Sequence, residues 1–169
     1  MYKQQIDSYF ADPARRAQLV EHISRLVRVR SVREEAKPGM PFGPGPAAAL
    51  AEGLKLAEEL GFSVQNYDNY VGTVDLNGQD TARHILCHLD VVGEGTGWTV
   101  TAPYEPKEVD GMLYGRGTDD DKGPACAVLM AMQAVKDLGV PLKHNARLIL
   151  GTDEESGSKD LAYYYGKEP

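Results

Sequence analysis

Apolar positions between Asp12 and Arg30 recur at helical spacing. Leu19, Val20, Ile23, Leu26 and Val27 fall on one face, behind an Asp12 that can cap and a Pro13 suited to a first turn. From Ser31 to Pro46 the chain is rich in proline and glycine, closing on KPGMPFGPGP, and this predicts a loop. A second helix is predicted from about Ala47 to Leu60, with Leu50, Leu54 and Ala57 in register and Gly61 as its stop. Shorter runs at Phe62 to Tyr67, Tyr70 to Leu76 and His84 to Leu89 read as strands, the first two joined through YDNY. The run HILCHL has little alternation, as expected of a strand buried on both faces. Residues Asp90 to Thr118 read as loop, with a small hairpin around Asp110 and Gly111. A third helix is predicted from about Asp121 to Leu138, its buried stripe made by Ala125, Val128, Leu129, Met132 and Val135. A buried strand at Ala146 to Gly151 and a last helix near Lys159 to Tyr165 complete the pattern. Alternating helices and buried strands predict an α/β fold, a three-layer sandwich with a largely parallel central sheet flanked by helices.

Composition narrows the function classes. Hydrophobic residues at 42% and charged residues at 25% match a soluble globular domain rather than a disordered or fibrous chain. A net charge of -7 disfavours a nucleic-acid partner, because phosphate backbones require clustered Lys and Arg. The acidic excess is either simple solubility or carboxylates gathered around cations, and only their placement separates the two. Cys87 and Cys126 lack CxxC spacing and sit in apolar contexts, which reads as two free thiols in a reducing compartment. The start MYKQQIDSYF lacks the pattern of a signal peptide, and no apolar run approaches the roughly 20 residues of a membrane span. The expectation is a cytoplasmic protein with no membrane partner.

Three acid-bearing or histidine-bearing segments follow predicted strands or open a predicted helix. His88 and Asp90 lie two apart at a strand end and so face one pocket together. Asp119, Asp120 and Asp121 stand at the entrance to the third helix, and Asp153, Glu154 and Glu155 follow the 146–151 strand. Taken singly, each has an ordinary structural explanation: a strand-end histidine, a helix cap with dipole-matched acids, a solvated loop. Taken together, they are loops that converge outside the carboxyl ends of strands, where carboxylates repel unless cations neutralise them. Histidine with carboxylates and no thiolate pattern suits zinc, manganese or cobalt. His22, on a predicted solvent-facing helix surface, and His84 and His144 read as structural. GEGTGW (93–98) lacks the lysine and strand-helix context of a phosphate loop and reads as a flexible loop by the site; Ser156 is in no GxSxG turn.

The runs from His88 to Asp90, GRGTDDDKGP (115–124) and GTDEESG (151–157) resemble the co-catalytic zinc peptidases related to aminoacylase and glutamate carboxypeptidase. The similarity is greatest to the PepV-type and carnosinase-like dipeptidase branch, with NYDNYVG and GWTVTAPYEP as supporting text. The resemblance implies a role for each residue. His88 binds one zinc, Asp120 bridges two, Glu155 binds the second, Glu154 is the general base, and Asp90 holds the His88 ring. It implies hydrolysis of a dipeptide amide bond by a water bridged between two Zn2+ ions, with Mn2+ or Co2+ as possible substitutes and a small peptide as substrate. A deacylase of N-acyl amino acids and a non-enzymatic α/β fragment stay open as alternatives. The family pattern also requires a later Asp and a distant His. Residues 1–169 are therefore expected to be the N-terminal part of the catalytic domain, without its lid, inactive alone and prone to self-association.

Overall fold

The computed structural model describes residues 2–167. It opens with two helices in tandem, α1 (Tyr2–Ala11) and α2 (Pro13–Val27). At their junction the Asp12 carboxylate accepts the Ala14 N–H, and Pro13 occupies the first turn, where a missing N–H costs nothing. Sequence reasoning placed no element before Asp12. Tyr2, Ile6 and Phe10 do follow helical spacing, yet no residue of α1 is buried. The helix α3 (Pro44–Glu59) begins ahead of its expected start, because Pro44 suits a helix's first turn as well as it suits a loop.

The strands β1 (Ser63–Tyr67) and β2 (Val71–Asp75) form a hairpin whose connection holds Asp68 and Asn69 at positive φ, as residues with short polar side chains allow. Then come β3 (Thr81–His88), the small hairpin β4 (Lys107–Val109) and β5 (Met112–Tyr114) around Asp110 and Gly111, α4 (Lys122–Asp137), β6 (Asn145–Gly151) and α5 (Lys159–Lys167).

The main sheet has the order β1-β2-β6-β3. It is mixed, not largely parallel: only β3 and β6 run parallel, while β1–β2 and β2–β6 are antiparallel. A short hairpin connection cannot join parallel neighbours, whereas the excursion through α4 between β3 and β6 can. Three layers result. On one face α2, α3 and α4 bury Leu26, Leu50, Leu54, Leu129 and Met132 against Leu148 and Leu150; on the other, Tyr164 of α5 packs with Tyr67, Val71 and Ile149. The alternation of Leu148, Ile149 and Leu150 between the two faces is the strand period seen directly.

Two expectations about burial fail. The run at His84 to Leu89 is not buried on both faces: His84 is exposed and Leu86 is 52% exposed, because β3 is an edge strand that α5 does not cover. His22 does not face solvent. It is buried, and its Nδ1 has no hydrogen-bond partner among the described residues.

Candidate metal centre

The parallel pairing of β3 with β6 sets His88 opposite Gly151, so both strands deliver their carboxyl ends to one place. Leu89 and Asp90 continue from β3. From β6 the chain passes through Thr152 and Asp153 into a single 3-10 turn at Glu154–Ser156. Asp119, Asp120 and Asp121 arrive from the approach to α4, where the buried Lys122 donates its Nζ to the Val29 carbonyl at 2.7 Å and ties the start of that helix to the end of α2.

The five residues singled out in the sequence meet here. One donor atom each from His88, Asp120 and Glu155 lie within 4.8 Å of one another. His88 Nε2 is 3.1 Å from Asp120 Oδ1 and 3.8 Å from Glu154 Oε2. The other ring nitrogen, Nδ1, faces the Asp90 carbonyl at 3.1 Å and its carboxylate at 3.4 Å. That arrangement leaves Nε2 free to act as a donor toward a cation. Asp90 is 1% exposed, and its two oxygens accept the N–H groups of Glu154 at 3.2 Å and Glu155 at 3.1 Å. It thus touches both the ring and the turn. The side chains of Asp120 and Glu154 are open to solvent, so the cluster faces outward where a substrate can arrive.

Charge is distributed as a cation site requires. Burial alone would lower the His88 pKa, but the hydrogen bond and charge of Asp90, with the charge of Asp121, carry it up to about 9. Burial, then the charges of Asp120, Glu154 and Asp90, raise Glu155 above the ordinary carboxylate range against the pull of His88. The carboxylates around His88 favour its charged form, and around Glu155 they add to the effect of burial, so the cluster's acids favour a nearby proton or cation. Cys87, next to His88, offers no thiolate, since burial and Asp121 push its pKa up to about 12. One imidazole and two carboxylates form a donor set that fits zinc, manganese or cobalt.

Sequence reasoning named the runs that contain Asp121 and Asp153 but gave neither a role, and it missed Arg33 and Asp160. Asp121 accepts the His88 N–H at 3.0 Å. The buried Asp160 accepts the N–H groups of Thr152 at 2.6 Å and Asp153 at 3.2 Å. Arg33 pairs with the fully buried Asp153. The GEGTGW loop is tied down: Glu94 accepts from Arg30 at 2.6 Å and from Tyr104 at 3.0 Å, and Trp98 Nε1 donates to the Glu94 carbonyl at 2.7 Å.

Residues 84–168, from the edge strand to the end of the last helix, match peptidase family M20/M25/M40. The chain belongs to that family. Among M20 relatives it is 40% identical over 152 residues to a Bacillus subtilis protein named "Putative dipeptidase YtjP", covering 89% of this chain and 33% of that protein. Its fold is similar to that of human carnosine dipeptidase 1, at TM-score 0.74 and 28% identity over 90% of this chain and 35% of that one. The di-peptidase Dug1p of Saccharomyces cerevisiae shares the fold at TM-score 0.74, with 20% identity over 98% of this chain and 36% of its own. The M20 chain thus spans about a third of the length of the relatives it matches. Among its described residues no helix is long and apolar enough to cross a membrane.

Proposed function

We propose that this M20 chain supplies part of the active site of a metal-dependent peptidase that hydrolyses the amide bond of a small peptide, a dipeptide in the first instance. The observation that carries the reading is the convergence of His88, Asp120 and Glu155 to within 4.8 Å at the carboxyl ends of the parallel pair β3 and β6. The names of YtjP and carnosine dipeptidase 1 favour a dipeptide over an N-acyl amino acid.

In this reading His88, Asp120 and Glu155 would hold divalent metal, zinc by preference, with Asp120 placed to serve more than one ion. When bound there, the metal would supply Lewis acidity toward the scissile carbonyl and the attacking water. Glu154 takes the proton from that water and passes it to the leaving amine, the work of a carboxylate that faces the site without being a donor. Asp90 holds the His88 ring with Nε2 toward Asp120, and through two backbone N–H groups it fixes the direction in which Glu154 and Glu155 point.

Three donors are fewer than two zinc ions need, since a catalytic zinc takes about three protein ligands of its own. The proposal therefore includes donors, and a substrate-gripping lid, from outside residues 1–169. It includes weak zinc binding and no peptidase activity for this chain alone, and a cytoplasmic setting consistent with the free, buried thiols of Cys87 and Cys126. Calorimetric zinc titration of the chain beside His88→Ala and Glu155→Ala tests it. The reading expects saturable binding that each substitution weakens, and equal binding by all three proteins would refute it.

A further inference from the structure

We propose that Arg33 is a positioning residue for the turn that carries Glu154 and Glu155, acting through Asp153. The proposal deepens the metal-site reading and rests on it, because what Arg33 positions is that site's donor and base. The backbone of the turn makes one short bond, from the Ser158 N–H to the Asp153 carbonyl at 2.8 Å, and its other two are long. The Ser156 N–H reaches the Asp153 carbonyl, and the Gly157 N–H the Glu154 carbonyl, each at 3.3 Å. A single 3-10 turn with such bonds fixes little by itself.

Side-chain carboxylates hold it as well. Asp90 accepts the N–H groups of Glu154 and Glu155 from below, and Asp160 accepts those of Thr152 and Asp153 from behind. Asp153 closes the remaining side. One of its oxygens accepts the Lys159 N–H at 3.1 Å, bracing the turn against the start of α5, and the other accepts from the Arg33 guanidinium. The same Arg33 nitrogen reaches the Ser156 carbonyl at 3.4 Å, so the guanidinium grips the turn at both ends. Asp153 has no exposed side-chain surface, while that of Arg33 is 34% exposed. A carboxylate so buried depends on its cation and its hydrogen bonds, and losing either frees the turn.

Arg33 is itself anchored to the other half of the site. The Ser31 hydroxyl donates to the Leu89 carbonyl at 2.6 Å, the Val91 N–H donates to the Ser31 carbonyl at 3.2 Å, and Val32 bridges to Val91. Its guanidinium carbon lies 5.1 Å over the Phe42 ring. The segment beside Asp90 thus sends one side chain across to the Glu154–Glu155 turn, fixing the two halves of the cluster relative to each other. The guanidinium lies over Phe42 while one of its nitrogens meets both acceptors, and a lysine ammonium could make the polar contacts without that stacking.

Cobalt titration of the full chain, followed through the visible d–d bands, tests this. Arg33→Ala is expected to weaken Co2+ binding about tenfold, the low end of the effect of groups that orient metal ligands, and to shift the bands. Arg33→Lys is expected to recover part of the affinity. The double variant Arg33→Ala with Asp153→Asn leaves no buried unpaired charge, so it is expected to keep the wild-type far-UV dichroism and still show the weakened, shifted spectrum. It decides the matter if the single variant fails to fold. His88→Ala separates the two claims. Unchanged binding there overturns the metal-site reading and this proposal with it. Binding lost in His88→Ala but wild-type affinity and bands in a folded Arg33 variant overturn this proposal alone.

Discussion

Gly123 offers the sharpest steric test of how the donor loop is built. It lies in the first turn of α4, where alanine in place of glycine would ordinarily stabilise by about 0.5–1 kcal/mol. Here the sign should reverse. A Cβ on Gly123 would stand 2.0 Å from the Thr118 carbonyl oxygen, where real contacts do not fall below 3.0 Å, so that carbonyl must retreat by about 1 Å. The obstacle is backbone and cannot rotate away. The Gly123 N–H also donates to the Gly117 carbonyl at 3.2 Å, which binds the same loop to the helix start. Overpacking a site that cannot relax costs on the order of 3 kcal/mol, or about 10 °C in the melting temperature of a chain this size. Thr118 precedes Asp120 by two residues, and metal donors tolerate only about 0.2 Å of displacement, so zinc binding should fall more than tenfold as well. Gly123→Ala should be melted beside Gly166→Ala, whose added methyl meets nothing within 4 Å and should leave the chain unchanged or slightly steadier. A Gly123→Ala chain that melts within 2 °C of wild type, by the scale of roughly 3 °C per kcal/mol, and binds zinc as tightly would refute the reasoning.

If Glu154 is the base and not a donor, as proposed, Glu154→Gln should leave zinc binding intact and slow dipeptide hydrolysis by the complete enzyme about 10²–10⁴-fold; weakened zinc binding would assign it a different role. Burial, then the charge of Arg25, holds the His22 pKa below its ordinary value against the nearby Glu21 and Glu59. Its contribution to stability is therefore present above about pH 6.5 and lost as the pH falls through the folded-state value. Urea unfolding at pH 7.5 and 5.5 should show that loss in wild type and a smaller one in His22→Gln; equal losses would place the acid sensitivity elsewhere. Leu86→Lys on the exposed edge strand should change stability by less than about 0.5 kcal/mol while reducing self-association in sedimentation velocity, because a charge blunts an unpaired edge. An unchanged sedimentation profile in a chain that does associate would show that β3 is not the contact.

What was legible in the sequence was whatever period and punctuation record. The helices α2, α3 and α4 announced themselves through apolar stripes bounded by Asp12, Gly61 and Gly139, and the β4–β5 turn through Asp110 and Gly111. The three acid- or histidine-bearing segments were legible as chemistry, but which residue of each takes part was read from the family resemblance, and the structure brings those residues together. Sheet polarity and burial were not legible. HILCHL reads as a core strand, but whether a strand is central or at an edge depends on its neighbours, and Leu86 is half exposed for want of one. His22 sits on a helix with a clear stripe, yet the packing of the neighbouring helices decided its burial. The framing groups were invisible for a related reason. Arg33 is one of two cations in a proline-rich loop, and Asp160 opens a helix as any capping acid would; long-range contacts give them their importance.

The central claim is that His88, Asp120 and Glu155 together hold divalent metal. Anomalous diffraction at the zinc edge, from crystals of this chain grown with zinc, tests it most directly. The account predicts zinc density within the cluster, about 2.0–2.2 Å from His88 Nε2 or Glu155 and from a carboxylate oxygen of Asp120, with Nδ1 still turned to Asp90. A zinc peak elsewhere on the acidic surface, with His88 Nε2 left against Asp120 and no density between them, would contradict it.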